Sequence, residues 1–372
     1  MIYIHFPFCK SFCSYCSFYS STKLTFIPDV MHAIRKEWLL ERDKWLPLLS
    51  KNQTLYIGGG TPSLCPLEEL QPFMQQILDD IKSFGNEITE VTIEANPCDI
   101  SPEYCKAWLE MGINRLSIGI QSFHDDHLAA MNRRHTARQA IEAVWTARQA
   151  GFRNINIDLL FGFPDLSMEQ WEATLHQAIE LAPEHISAYQ LSLDPPSLWE
   201  QQATLPSEDT CFAQYTFLQG TLKTHGYKQY EISSFCRPGK EAIHNSRYWQ
   251  RIPYLGLGPS AHSFNGRNRY ANVYHISKYM NGLRKRRPYR RHDYLTRRNV
   301  SNEWIMLQLR TTAGFSLEQL EARKGRRAVE VFLSRIDSLM REGVLIQEDE
   351  RILIPPSLFF IADRIIENCL QP

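Results

Sequence analysis

Short runs of β-branched and aliphatic residues recur along the first half of the chain, each followed by a stretch in which apolar residues return at helical spacing. The runs at Ile2 to His5, Thr54 to Ile57, Val91 to Glu94, Arg115 to Gly119, Ile155 to Leu160 and His185 to Leu191 read as strands. Between them Val30, Ile34 and Trp38 fall at i, i+4, i+8, and Leu70, Phe73, Met74 and Ile77 at i, i+3, i+4, i+7, so each set lines one face of a helix. Strand and helix alternating about six times call for parallel strands with right-handed crossovers. The expected fold is therefore α/β, an open or partial (β/α)6 barrel. Chemistry in such barrels sits at the C-terminal strand ends. Polar and glycine residues fall there: a cysteine-bearing loop after the first run, Gly58 to Pro62 after the second, Glu94 at the third, Gln121 past the fourth and Asp158 in the fifth.

From about Gly220 the pattern loosens. Further on, Trp304, Leu307 and Leu309 share a predicted helix, Ser316-Leu317-Glu318-Gln319 is a capping-box start for a second, and Val331 to Met340 forms a third. Val344 to Ile346 and Ile352 to Ile354 then read as a hairpin. The expected organisation is a barrel over residues 1–220, a segment covering the barrel mouth over 221–290, and a small, mainly helical, winged-helix-like domain over 291–372. Arg284, Lys285, Arg286, Arg287, Arg290, Arg291, Arg297 and Arg298 read as a solvated hinge.

Forty-one basic residues balance 41 acidic ones over 372 residues. A winged-helix-like module can bind DNA, but it serves equally as a lid or docking surface, and with neutral net charge no nucleic-acid partner is expected. No apolar run approaches the ~20 residues of a spanning helix, and no basic-then-apolar leader opens the sequence. A cytoplasmic location is expected. The nine cysteines fit a reducing compartment, since an odd total suits no disulfide framework. Cys65, Cys98, Cys105, Cys211, Cys236 and Cys369 are scattered and read as small apolar residues.

Cys9, Cys13 and Cys16 are different: they form a C-x3-C-x2-C run just after the first strand, interleaved with aromatics. A [4Fe–4S] cube normally takes four thiolates, so three leave one iron open. Structural zinc would want a closed tetrahedral set, usually with a second C-x2-C knuckle, and no second knuckle follows. A glycine-rich turn such as Gly58-Gly59-Gly60-Thr61-Pro62 lets backbone approach a polar ligand closely. Glu94, Gln121, Arg133 and Asp158 offer acceptors for hydroxyls and an ammonium, with a planar fork for a carboxylate. Taken singly, each equally serves as a cap or as barrel filling.

The triplet resembles that of the radical S-adenosylmethionine (SAM) superfamily. Glu94-Ala95-Asn96-Pro97, Gly119-Ile120-Gln121-Ser122-Phe123, Asn132-Arg133-Arg134-His135, Ile157-Asp158-Leu159-Leu160-Phe161-Gly162-Phe163-Pro164 and His185-Ile186-Ser187-Ala188-Tyr189-Gln190-Leu191 follow in order. Together they are similar to the oxygen-independent coproporphyrinogen oxidase (HemN) family, and most of all to its haem-chaperone branch. The resemblance implies a radical SAM barrel, a [4Fe–4S] cluster on Cys9, Cys13 and Cys16, and SAM contacted by Tyr3, Tyr15, Gly59, Gly60, Thr61, Glu94, Gln121, Arg133 and Asp158.

Two features point to the chaperone branch. Oxidases of the family carry a further cysteine beyond the third, whereas here Ser17 and Phe18 follow Cys16. His244-Asn245-Ser246-Arg247-Tyr248-Trp249 matches an H-N-x-x-Y-W signature associated with haem, which makes His244 the candidate iron ligand and Tyr248 and Trp249 candidate ring contacts. The partners implied are haem, haem-acceptor proteins and an electron donor, with room left for a dimer and for peripheral membrane association. The competing reading is an enzyme that oxidatively decarboxylates coproporphyrinogen III propionates. Radical modification of RNA has only the basic stretch in its favour. Two departures from the family stand out: Ser17 replaces a common acidic residue, and Asp194-Pro195-Pro196 lacks a usual glycine.

Overall fold

A computed structural model describes residues 1–49, 51–193, 199, 204–285 and 289–370. Asp194-Pro195-Pro196 and, in the basic stretch, Arg286 and Arg287 lie outside the described residues. The chain divides into two compact units, one of residues 1–214 and 253–294, the other of 215–252 and 295–372.

The first unit is built on parallel strands β1 (Ile2–Phe6), β2 (Asn52–Gly59), β3 (Glu87–Ala95), β4 (Arg115–Gln121), β5 (Ile155–Phe161) and β6 (His185–Gln190). They lie in sequence order, β6-β5-β4-β3-β2-β1. A short strand, Leu255–Leu257, adds a parallel neighbour on the far side of β1, with Ile2 opposite Leu255. The sequence pattern misses this strand because Leu-Gly-Leu is too short to show a period. Helices α1 (Ile27–Trp45), α2 (Leu67–Ser83), α3 (Pro102–Glu110), α4 (Asp125–Ala130), α5 (Ala137–Ala150) and α6 (Met168–Glu180) fall between the strands. The expected stripes are the buried faces: Val30, Ile34, Trp38, Leu70, Phe73, Met74 and Ile77 are all 0–2% exposed. At roughly 1.5–3 kcal/mol for each large apolar side chain buried, these stripes supply much of what holds the helices to the sheet.

Residues 253–294 are tied to α1 by Glu37, which is fully buried. Its carboxylate accepts from Gly258 N at 2.8 Å, Asn272 Nδ2 at 2.9 Å, Arg290 Nη2 at 2.8 Å and the Tyr279 hydroxyl. Arg290 also pairs with Glu41 at 2.8 Å. Arg290 thus departs from the solvated reading of the basic stretch: a buried carboxylate needs a cation and hydrogen bonds to be tolerated, and Arg290 is that cation.

In the second unit, helices span Arg297–Leu309, Leu317–Lys324 and Arg326–Arg341. Both halves of the expected capping box are formed, Gln319 N to Ser316 Oγ at 3.2 Å and Ser316 N to Gln319 Oε1 at 3.0 Å. The hairpin strands are Ile346–Glu348 and Arg351–Leu353, and Phe315–Ser316 pairs with the latter as a third antiparallel strand. A terminal helix, Ala362–Cys369, packs against the helices Arg297–Leu309 and Arg326–Arg341.

Candidate functional site

The cysteine loop leaves β1 and is anchored on two sides. On one side, Gly60 N donates to Phe6 O at 2.8 Å, Thr61 N to Phe8 O at 2.7 Å, and Thr61 Oγ1 to Cys9 Sγ at 3.4 Å. The glycines are required by this approach. A Cβ on Gly60 would lie 2.5 Å from the Phe8 carbonyl oxygen, and one on Gly59, whose φ is +113°, would lie 2.7 Å from the His5 ring. On the other side, the residues after α4 close over the loop. Asn132 Nδ2 donates to Phe12 O at 2.7 Å, Ser14 N to Met131 O at 3.0 Å, and Arg133 Nη1 to Cys13 Sγ at 3.4 Å. Arg133 also donates to Gly119 O, and its Nε is buried without a partner. His135 secures the same segment through Nε2 to Ile120 O at 3.1 Å.

Cys9, Cys13 and Cys16 are free and half-exposed. Burial pushes the Cys9 thiol up and the Cys16 thiol up to about 11, while Arg133 pulls both down. Among the described residues no three His, Cys, Asp or Glu side chains gather closely enough to share one metal ion. Three thiols within one loop suit the donor set of a multi-iron cluster, which takes one thiolate per iron.

The expected SAM residues are spread over strands β1 to β5, the cysteine loop and the segment after α4. Glu94, on β3, accepts from Tyr56 OH at 2.9 Å and from Gly59 N at 3.1 Å. Its carboxyl is raised to about 7, by burial first and then by the charge of Asp158. Asp158, on β5, is also raised, chiefly by burial. It accepts from Asn156 Nδ2 at 2.8 Å and Ser117 Oγ at 3.2 Å. Arg115, only 1% exposed, is the buried cation that opposes both shifts. Gln121 closes β4 in the left-handed region, φ 73°, at a register irregularity opposite β5, and its amide folds back toward Gly119 beside Arg133.

Tyr3 sits deeper, at the second position of the chain's first strand, where its hydroxyl meets His5 Nδ1 at 3.1 Å. His5 Nε2 faces the Tyr19 carbonyl at 3.0 Å, and burial lowers its pKa to about 4. A carbonyl only accepts, so Nε2 carries the proton and Nδ1 receives the tyrosine hydroxyl. Tyr15 belongs to the cysteine loop, its ring 6.4 Å from that of Trp199.

His5, Tyr56, Arg115, Ser117, Asn156 and His185 were not among the residues expected from the sequence. Their signal is polar residues at alternate positions of otherwise apolar strands, such as Asn156 and Asp158 or His185 and Ser187.

The haem-type motif lies in the second unit, on α7, Ile243–Trp249. His244 is 1% exposed and its Nε2 meets the Tyr248 hydroxyl at 3.2 Å. Trp249 holds the Gln308 amide on its carbonyl at 2.7 Å, and its own Nε1 is buried without a partner.

The radical SAM superfamily model matches residues 3–178, and the HemN C-terminal domain model residues 295–357. A protein of Bacillus subtilis named heme chaperone HemW is 32% identical over 361 residues, covering 95% of this chain and 94% of that one. Proteins of the same name from Haemophilus influenzae and Escherichia coli are 37% and 36% identical over 266 and 267 residues; each alignment covers 70% of this chain and 69% of the relative. The coproporphyrinogen III oxidase (HemN) structure from Escherichia coli superposes with a TM-score of 0.84 at 21% identity, covering 100% of this chain and 89% of that one, which shows a shared fold. The radical SAM family implies a [4Fe–4S] cluster and SAM. With a relative this similar matched over nearly its whole length, the chain belongs to the HemW family of radical SAM proteins.

Proposed function

We propose that the chain is a haem chaperone: it binds haem and hands it to acceptor proteins while keeping a cluster-bearing SAM barrel. The observation that carries this reading is the likeness, across 94% of a relative's length, to proteins named heme chaperone HemW. Ser17 and Phe18 after Cys16, where an oxidase pattern has a further cysteine, agree with it.

In this reading Cys9, Cys13 and Cys16 would hold the cluster, which when bound would supply one-electron reduction of SAM. Thr61 and Arg133 donate to the sulfurs of Cys9 and Cys13, which stabilises thiolate charge. Gly59 N and Tyr56 fix the Glu94 carboxylate, so that it can accept from a SAM hydroxyl or ammonium with little reorganisation. Tyr3, Tyr15, Gly60, Thr61, Gln121, Arg133 and Asp158 complete the SAM surroundings. His244, with Tyr248 and Trp249, forms the haem site in segment 221–290. His244 can ligate iron through Nε2 only after the Tyr248 hydroxyl releases it. Haem, an acceptor protein and an electron donor are the partners, and the cytoplasm is the compartment.

The test is anaerobic cluster reconstitution followed by separate addition of haem and coproporphyrinogen III. Haem spectra should shift on binding, with no protoporphyrinogen formed. Robust product formation dependent on SAM and a reductant would sink the chaperone reading and promote an oxidase.

A further inference from the structure

A surface pocket of about 390 Å³ opens within the second unit, lined by Gln250, Trp304, Gln308, Gln319, Ala322 and Arg323. This is within the size of small-ligand sites, roughly 300–1,000 Å³. Its lining is three amides, an indole, a methyl group and a guanidinium, with no carboxylate among these six residues. Arg323 is held over the Trp304 ring, 5.1 Å from its centroid, which orients the guanidinium while leaving its N–H edge for a ligand. Gln319 has its carbonyl engaged by Ser316 N, so its amide end available to a ligand is the NH2 donor.

Further cations gather behind this lining. Arg251, whose backbone takes the strained φ of 59° directly after Gln250, pairs with Glu303 at 3.1 Å. Lys324 donates to the Arg297 carbonyl at 3.1 Å. Arg323 is lowered by burial and by Arg251, and Lys324 by burial and by Arg251, Arg297 and Arg323. The four cations therefore lie close enough to repel one another, a cost that a bound anion relieves.

We propose that this pocket is an oxyanion site, taking a carboxylate or phosphate group of a small ligand on Arg323 and Gln319. The oxyanion has two candidate sources: a free anion or a porphyrin propionate. The second rests on the haem reading. It is favoured by position, because Gln250 caps the C-terminal end of α7 and lies six residues, about 9 Å of helix rise, beyond His244, while Gln308 is bonded to Trp249.

Calorimetry on the full-length protein at low ionic strength, with inorganic phosphate and with sodium propionate, tests the site. Saturable binding of at least one of them is expected, weakened tenfold or more by Arg323→Gln and left unchanged by Arg326→Gln, a charge control at a position with an 86% exposed side chain outside the pocket. Thermal melts of both variants should match the parent. No saturable binding of either anion, or equal weakening by Arg326→Gln, overturns the proposal. Haem and its dimethyl ester then separate the sources. Selective loss of haem affinity in Arg323→Gln, with ester binding unchanged, assigns the pocket to propionates; equal haem and ester binding assigns it to a free anion. Failure of the parent protein to bind haem at all counts against the chaperone reading and leaves the phosphate result standing.

Discussion

Asn132 donates from Nδ2 to the Phe12 carbonyl at 2.7 Å, reaching the cysteine loop from 120 positions further along the chain. The adjacent Arg133 reaches Cys13 Sγ. The Asn132-Arg133-Arg134-His135 motif is thereby a clamp on the loop as well as a candidate ligand contact, with Arg134 anchoring it to Asp99 at 2.7 Å.

Asn132 has a φ of 55°, so Asn132→Gly keeps the backbone geometry while removing the amide. We expect it to weaken the loop anchor by about 1 kcal/mol and to hasten loss of iron from the reconstituted cluster in air. Iron release at the parent rate would show that the clamp is not needed.

Gly60→Ala is expected to be more damaging than Gly58→Ala. The added Cβ meets a backbone carbonyl at 2.5 Å at Gly60, whereas at Gly58 its nearest neighbours are side chains, Glu94 at 2.8 Å and Tyr56 at 2.9 Å, which shift at less cost than backbone. Overpacking of this kind costs about 1–3 kcal/mol. Denaturant unfolding of the two variants gives the order, and a larger loss in Gly58→Ala would contradict it.

Replacing Cys9, Cys13 and Cys16 together by Ala should abolish cluster assembly. Reconstituted parent protein should hold about four irons and four sulfides per chain and the triple variant close to none. Retention of the full complement would mean that the cluster lies elsewhere.

Glu94 gives a pH dependence with a fixed sign. Its folded pKa, about 7, is above its ordinary value of 4.5, so between those values the folded state keeps a proton that the unfolded state has lost. Stability conferred by the protonated carboxyl is full below about pH 4.5, falls as pH rises to 7, and is lost above. Glu94→Gln should remove this slope, worth about 3 kcal/mol across the window. Urea unfolding at several pH values measures it, and an unchanged slope in the variant would assign the dependence to other groups. Because SAM would meet the ionised carboxylate, SAM affinity should rise through the same window.

At the haem motif, Tyr248→Phe removes the hydroxyl that meets His244 Nε2. If His244 ligates iron, this variant should bind haem at least as tightly as the parent while His244→Ala alters the Soret band. Parent-like spectra in His244→Ala would reduce the histidine to a buried hydrogen-bonding role.

The sequence alone determined the order of strands and helices, because apolar period is set residue by residue, and β1 to β6 lie where the runs predicted them. It also determined the thiol set, since Cys9, Cys13 and Cys16 sit within one loop and need no distant partner to be recognised. Tertiary structure decided what surrounds them. The bond from Asn132 to Phe12, the contact of Gly60 with Phe8 and the sharing of charge among Glu94, Asp158 and Arg115 join positions far apart in the chain, and nothing in local periodicity encodes such distances. The same holds for Arg290: a run of basic residues reads as solvated until the fold brings Glu37 and Glu41 beneath one of them. His244 could be singled out by its motif, but its burial against Tyr248 follows from packing around α7, which the spacing of four residues permits and only the folded unit enforces.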